Sequence, residues 1–181
     1  MMTAAAFLQK KAWLFEMREV PAGFAADGES FHFRWVGDCS ADAVLHMRNS
    51  PHVVEMSSDS RSIAMDAHRE FLRNYANLAR LDFVLVTGQS DECIGAVNLC
   101  WRARWLEIGK YLGDSRYLGR GIAKAAMRSY LDFLRREFPR TNLLAKTRRD
   151  NHRNIALNEA LGFHTQEECE DGFLLMCMRL D

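Results

Sequence analysis

Three consecutive β-type runs, Phe83–Val86, Ile94–Trp101 and Trp105–Leu112, constrain this chain more than any other feature. The connections between them are short. Parallel neighbours would need a crossover segment, so the three runs are expected to pair as an antiparallel meander. The period then changes to helical from Ile122 to Phe138, through Met127, Tyr130, Leu134 and Phe138, until Pro139 stops it. A strand over Leu143–Thr147, a short helix over Asn154–Leu161 closed by Gly162, and a last strand over Phe173–Leu180 complete the C-terminal half.

Upstream, Ser40 is a candidate N-cap for a helix over Ala41–Arg48, which Asn49-Ser50-Pro51 ends. A second helix is predicted over Ile63–Ala79, with Ala67, Phe71, Tyr75 and Leu78 on its apolar stripe. Two earlier runs alternate with period two, Trp13, Phe15, Met17 and then Phe31, Phe33, Trp35, and both predict strands. Pro and Gly between Val20 and Ser30 read as a loop. Residues 1–30 are therefore expected to be an N-terminal extension that adds an edge strand, and residues 31–181 a single domain.

A chain of 181 residues that is 48% hydrophobic and 27% charged suits one globular domain with a real core. Its 24 basic and 24 acidic residues cancel, which disfavours a nucleic-acid duplex or an anionic membrane surface as the main partner. No apolar stretch reaches the roughly 20 residues of a membrane span. Five widely spaced cysteines (Cys39, Cys93, Cys100, Cys169 and Cys177), without a CxxC pair, argue against both a disulfide framework and a zinc site. The first residues lack the uninterrupted apolar core and cleavage site of a signal peptide. The expectation is a cytoplasmic protein with reduced thiols and no metal.

The segment Tyr111-Leu-Gly-Asp-Ser-Arg-Tyr-Leu-Gly-Arg-Gly-Ile-Ala123 runs from a strand through glycines into the long helix. Such a turn can collect unpaired N–H groups at the positive end of a helix dipole and so cradle a phosphate. Gly119 and Gly121 would let the backbone approach an anion, and Arg120 could add charge. Taken with the preceding Glu107-Ile-Gly-Lys-Tyr-Leu-Gly113, this stretch resembles the central Q/R-x-x-G-x-G/A motif of GNAT acetyltransferases. Gly121 and Ala123 take the small-residue positions, whereas Leu118 stands where Gln or Arg is usual. A shifted match, Arg116-x-x-Gly119-x-Gly121, fits the letters but suits the flanking strand and helix less well.

A second stretch, Asn151-His-Arg-Asn-Ile-Ala-Leu-Asn-Glu-Ala-Leu-Gly-Phe163, resembles the family's downstream N-x-x-S/A-x-x-L-Y-E-K-L-G-F pattern. The resemblance covers roughly Phe31 to the C-terminus. It implies an α/β (mixed α+β) fold: a central mixed, mostly antiparallel sheet flanked by helices, with strands that splay to admit acetyl-CoA. It further implies that backbone N–H groups of Leu118, Gly119, Arg120, Gly121, Ile122 and Ala123 hold the pyrophosphate. Ile108, Gly109, Lys110, Tyr111 and Leu112 would run beside the pantetheine arm, with Asn151, Asn154 and Asn158 on its other side. No metal is implied.

Acyl transfer to an amine needs a neutral nucleophile, stabilisation of the oxyanion and often a proton for the departing thiolate. Strand parity puts Leu106, Ile108 and Leu112 on one face and Trp105, Glu107 and Tyr111 on the other. In many relatives a Glu preceding Ile-Gly lies near the acceptor, so Glu107 is the candidate base, acting directly or through water. At the position of the tyrosine that many relatives use as acid stands Asn158, which can donate a hydrogen bond but is no acid. Tyr111 is then a candidate acid, the alternative being a thiolate that leaves unassisted.

The acceptor half contains Arg48-Asn49-x-Pro51, Met56, and Ile63-x4-His68-x-x-Phe71. This resembles the N-acetyltransferases that modify UDP-linked 4-amino-sugars in the pseudaminic-acid pathway, in which the positions of Arg48, Met56 and His68 line the nucleotide-sugar pocket. Arg48 suits a phosphate, Asn49 lies beside it, Met56 suits an apolar sugar or base face, and His68 suits a phosphate or hydroxyl. Ribosomal-protein N-terminal and polyamine acetyltransferases share an R-N-containing first helix. Two functions follow as expectations. One is an acetyl-CoA-dependent N-acetyltransferase for a small amine, most readily an amino sugar, with protein N-termini, polyamines and aminoglycosides as alternatives. The other is a non-catalytic acetyl-CoA-binding module. A homodimer is left open.

Overall fold

In the computed structural model, which describes residues 2–57, 59–102 and 105–181, the first departure from the sequence pattern lies at the N-terminus. Ala4–Glu16 is a helix, α1, and not a strand. Its first ten residues, AAAFLQKKAW, are mostly strong helix formers, and the Thr3 hydroxyl caps it by accepting from Ala6 N–H at 3.2 Å. Over this longer window the residues that sink into the core are Phe7, Lys11 and Leu14, a helical spacing. Trp13, Phe15 and Met17, whose alternation had suggested a strand, are 45%, 47% and 57% exposed.

Burying Lys11 has a measurable consequence. Its ammonium donates to the carbonyls of Tyr75 and Leu78 (2.9 Å to the latter) and sits over the Tyr75 ring. Burial lowers its pKa from 10.5 to about 8, against the opposing pull of Asp82. Between these values the unfolded chain holds a proton that the folded chain has lost, so stability should rise with pH across this window, by up to about 3 kcal/mol. Urea midpoints at pH 7.5 and 10.5 should show the rise, and Lys11→Met should remove this residue's share of it.

Phe24–Ala26 (β1) and Glu29–Trp35 (β2) form a hairpin around Asp27-Gly28, both with positive φ. The Asp-Gly turn signal sits inside the segment read as a loop, where three short residues of strand escaped notice. Helix α2 (Ala41–Arg48) begins after Ser40, whose hydroxyl makes no capping bond. Pro51 does not simply end it; Pro51 occupies the first turn of a further helix, α3 (Pro51–Met56). Helix α4 is shorter than expected, Met65–Arg73, followed by a 3-10 turn at Tyr75–Asn77, and it buries His68, not Ala67.

The meander is present as β3 (Arg80–Thr87), β4 (Cys93–Arg102) and β5 (Trp105–Leu112). The long helix α5 (Ile122–Glu137) follows, then β6 (Asn142–Arg148), α6 (His152–Glu159), β7 (His164–Glu168) and β8 (Phe173–Arg179). β7 carries no sequence signal, because all five of its residues are exposed and show no apolar alternation. Among the described residues the chain therefore has six α-helices around an eight-stranded sheet of order β1-β2-β3-β4-β5-β6-β8-β7. Every pairing is antiparallel except β5 with β6.

One face of the sheet carries the main core, in which Phe7 and Leu14 of α1 join Tyr130, Phe133 and Leu134 of α5. On the other face a smaller cluster of Val36, Val44, Met47, Val84 and Val86 forms beneath α2. There α2 comes so close to the end of β5 that a Cβ on Gly113 would lie 2.3 Å from Met47 Cβ. Only glycine fits. No helix of the described residues is long and apolar enough to cross a membrane.

Candidate active site

The site is built on the one parallel pairing. β5 and β6 meet only at Leu106 with Leu143 and Glu107 with Leu144, and beyond these two pairs they diverge. The β4–β5 pairing meanwhile continues without a register shift from Arg102–Trp105 to Gly95–Leu112. Residues Ile108 to Leu112 thus keep one partner strand and present their other backbone edge to a cleft. An edge of this kind can pair with an extended amide-bearing ligand.

At the far end of that edge the chain makes a 3-10 turn at Ser115–Tyr117 and enters α5 through Gly119 (φ 76°) and Gly121 (φ 75°). The first backbone bond into the helix is from Ala125 N–H to Gly121 O at 3.1 Å. The N–H groups of residues 119 to 124 have no acceptor among the described residues, which makes a nest at a helix N-terminus. Leu118 at its rim is 41% exposed, but its N–H, expected among the phosphate-facing amides, already donates to Ser115 O at 3.1 Å because it closes the 3-10 turn. Arg120 stands in the nest, but its guanidinium is held by Asp27 and by Glu29 (2.7 Å) of the β1–β2 hairpin. These carboxylates raise its pKa and fasten the hairpin to the turn.

Across the cleft, the Asn151 side chain caps α6 by accepting from Asn154 N–H at 3.1 Å. Thr147 Oγ1 on β6 accepts from Asn154 Nδ2 (3.0 Å) and from Asn158 Nδ2 (3.1 Å). Asn158, 1% exposed, also points Nδ2 at Met176 Sδ (3.4 Å), and its Oδ1 accepts from Lys110 Nζ at 2.6 Å. The lysine side chain therefore leaves β5 and reaches α6, across the gap between the diverging strands. Burial alone lowers its pKa to about 8.

Glu107 lies on the opposite face from Lys110, where its carboxylate accepts from Arg102 Nε at 2.9 Å and is about one-third exposed (34%). Tyr111, on the same face as Glu107, has its pKa raised by burial and by Asp82, with Arg48 and Arg80 pulling the other way. As a proton donor it is therefore weaker than an ordinary phenol.

Helices α2 and α3 cover the C-terminal end of β5, and α4 packs against α2. His52 Nε2 bonds the Leu112 carbonyl at 2.8 Å and so fixes α3 over the strand end. The Asn49 amide exchanges two 2.8 Å bonds with the backbone of Ile63, which brings the start of α4 beside the end of α2. Arg48 Nη1 and His68 Nε2 are buried without a hydrogen-bond partner among the described residues. Burial lowers the His68 pKa despite Asp42, so its ring is neutral at physiological pH. Met56 ends α3 and is 40% exposed. No local sequence signal marks His52, because its partner lies 60 residues away.

Cys100 and Cys177 are thiols whose pKa values burial raises. The described residues contain no cluster of three or more His, Cys, Asp or Glu placed to hold a metal. A cavity of about 460 Å³ bordered by Arg34, Cys39, His46, Asp91 and Cys93 lies apart from this cleft. The strand divergence and the amide nest, not that cavity, have the chemistry to receive a long phosphorylated ligand.

Comparison with known proteins agrees with this geometry. The family profile described as "Acetyltransferase (GNAT) domain" matches residues 31–164. No curated protein matches the sequence. Among solved structures, spermidine N-acetyltransferase from Vibrio cholerae in complex with CoA and spermine is similar with a TM-score of 0.70 and 16% identity, over 83% of this chain and 95% of that one. Ribosomal-protein-S5-alanine acetyltransferase from Vibrio fischeri gives 0.67 and 22%, over 88% and 97%. RimJ of Mycobacterium smegmatis in complex with CoA-disulfide gives 0.71 and 20%, over 87% and 86%.

Proposed function

This chain belongs to the GNAT acetyltransferase family, and from that premise we propose that it transfers the acetyl group of acetyl-CoA directly to a primary amine in a ternary complex. The observation that carries the donor half is the open edge of Ile108–Leu112 leading to the amide nest of residues 119–124. The nest suits a pyrophosphate, and the edge suits the two amides of a pantetheine arm. When bound, acetyl-CoA supplies the activated acyl group. The protein's part is to hold it extended, to take a proton from the acceptor nitrogen and to provide for the sulfur.

Glu107 is the proposed base. It lies at the point where β5 and β6 part, on the face shared with Tyr111, whose ionisation senses Arg48 of the acceptor wall. Arg102 engages its carboxylate without burying it. Glu107→Gln should lower kcat by about 100-fold, the usual worth of a positioned base, and leave acetyl-CoA affinity unchanged in calorimetry.

For the acceptor, the reading with most chemical support is an amine on a phosphate-bearing molecule, such as a nucleotide-linked amino sugar. It rests on Arg48 Nη1 of α2 and His68 Nε2 of α4, two buried polar atoms without hydrogen-bond partners among the described residues. A buried donor left unpaired costs about 1–3 kcal/mol, which an anionic or hydroxylated ligand would recover. Polyamines, aminoglycosides and protein N-termini, the substrates named for structurally similar proteins, are cationic and would instead need acidic partners. The test is CoA release from acetyl-CoA with a panel of a UDP-4-amino-sugar, spermidine, an aminoglycoside and an alanine-terminated peptide. Turnover with the sugar alone supports this reading. Turnover with spermidine or the aminoglycoside overturns it.

A further inference from the structure

The proposed base accounts for the acceptor nitrogen but not for the sulfur. Tyr111 lies on the face opposite Lys110 and its pKa is raised, and both ends of the Asn158 amide are already engaged within the protein. A further proton-bearing side chain, with an ammonium to give, reaches the divergence of β5 and β6. Lys110 crosses it, and its Nζ ends 2.6 Å from Asn158 Oδ1.

We propose that Lys110 is a catalytic residue, the general acid that protonates the departing thiolate of CoA, and that Asn158 is the positioning residue that holds its ammonium in the cleft. The proposal rests on the acetyl-CoA reading above. A donor extended from the nest along the Ile108–Leu112 edge runs toward Glu107, where the strands converge, and Lys110 stands along that path. The proton balance is simple. The acceptor nitrogen bonds to the thioester carbon, the C–S bond breaks with its electron pair going to sulfur, and Lys110 Nζ–H passes its proton to that sulfur. The neutral amine so formed regains a proton from solvent, into which the base has released the one taken from the acceptor.

The surroundings suit the task. Val97, the register partner of Lys110 on β4, and Asn158 on α6, with Thr147 of β6 and Met176 of β8 behind it, are all uncharged. Thr147 and Met176 hold the amide so that its oxygen faces the ammonium. An amine whose pKa burial has brought to about 8 lies near a neutral operating pH, where a general acid is most effective, and is a stronger acid than an exposed lysine. Such an acid acts only while it carries its proton, so kcat should decline as pH rises through about 8.

Lys110→Met and Lys110→Arg separate this role from a structural or purely electrostatic one. Arg keeps the charge and can bond Asn158, but it does not release a proton in this range. Both variants should bind acetyl-CoA in calorimetry, lose about 100-fold in kcat and lose the alkaline decline. An equilibrium readout accompanies the rates: the thiolate absorbance of bound CoA across pH. In the wild type the nearby ammonium should make that thiol ionise at lower pH than free CoA; Lys110→Met should return it to the ordinary range and Lys110→Arg should not. Asn158→Ala should lower kcat less than Lys110→Met and leave the nest's affinity unchanged. Turnover restored by Arg, kcat within about threefold in Lys110→Met, or the same thiol ionisation in wild type and Lys110→Met would overturn the proposal. Absence of acetyl-CoA binding by the wild type would instead remove the donor reading beneath it.

Discussion

Gly121→Asp should weaken acetyl-CoA binding by about 100-fold or more while the protein remains folded. Gly121 sits at φ 75° as the residue before α5, and a Cβ built there meets nothing within 4 Å. The substitution therefore causes no clash, and Asp is among the few residues that tolerate the left-handed region, at a cost of about 1–2 kcal/mol. What it changes is charge. A carboxylate placed among the free N–H groups of residues 119–124 would take the position proposed for the incoming pyrophosphate and repel it. A 100-fold loss corresponds to about 2.8 kcal/mol, within reach of one unscreened like-charge contact. Gly121→Asn, of nearly the same shape and strain, isolates the charge and should lose about tenfold at most. Calorimetry on the three proteins decides the matter. Equal affinity in wild type and Gly121→Asp places the phosphates elsewhere, and equal loss in both variants shows that backbone freedom, not charge, is what the nest requires.

Phe7→Ala should destabilise the protein by about 3–5 kcal/mol, the typical cost of removing a large aromatic from a well-packed core. Phe7 is 0% exposed and stacks on Phe138 with ring centroids 5.7 Å apart. Helix α1 thereby touches the C-terminal end of α5, the helix whose N-terminus forms the nest. Against a total of about 5–15 kcal/mol this loss is severe, and thermal unfolding should show a fall in Tm of about 6–20 °C. Trp13→Ala is the internal control. If residues 13–17 were an edge strand with Trp13 inward, Trp13 would be the costly position; as a 45% exposed helix residue it should cost about 1 kcal/mol or less.

Much of the architecture was legible because it depends on neighbours a few residues apart. The meander, the long helix, the glycine-rich entry at Gly119 and Gly121, and the second motif from Asn151 to Phe163 are all local patterns, and each lies where expected. The parity of β5 also holds, because its pairing with β4 carries no bulge. The errors were local as well, but in short windows. Five residues from Trp13 to Met17 satisfy a period of two by coincidence, while the thirteen residues around them obey 3.6. The His164–Glu168 strand has no apolar face to read, since it gains its place only by pairing with β8 at the sheet edge.

The sequence by itself determined most of the element types, the family and the glycine-rich turn into α5, because periodicity, turn conformation and helix capping are set by residues in contact along the chain. The tertiary structure decided what those elements do to one another. It drew Lys11 into the core beside the carbonyls of Tyr75 and Leu78, closed Asp27 and Glu29 on Arg120, and left Arg48 Nη1 and His68 Nε2 buried without a hydrogen-bond partner among the described residues. It also set Lys110 against Asn158, 48 residues further on. No local pattern encodes that contact. It exists because β5 and β6 lie side by side yet part after two residue pairs, so that a side chain of the meander and an amide of the last helix face the same gap.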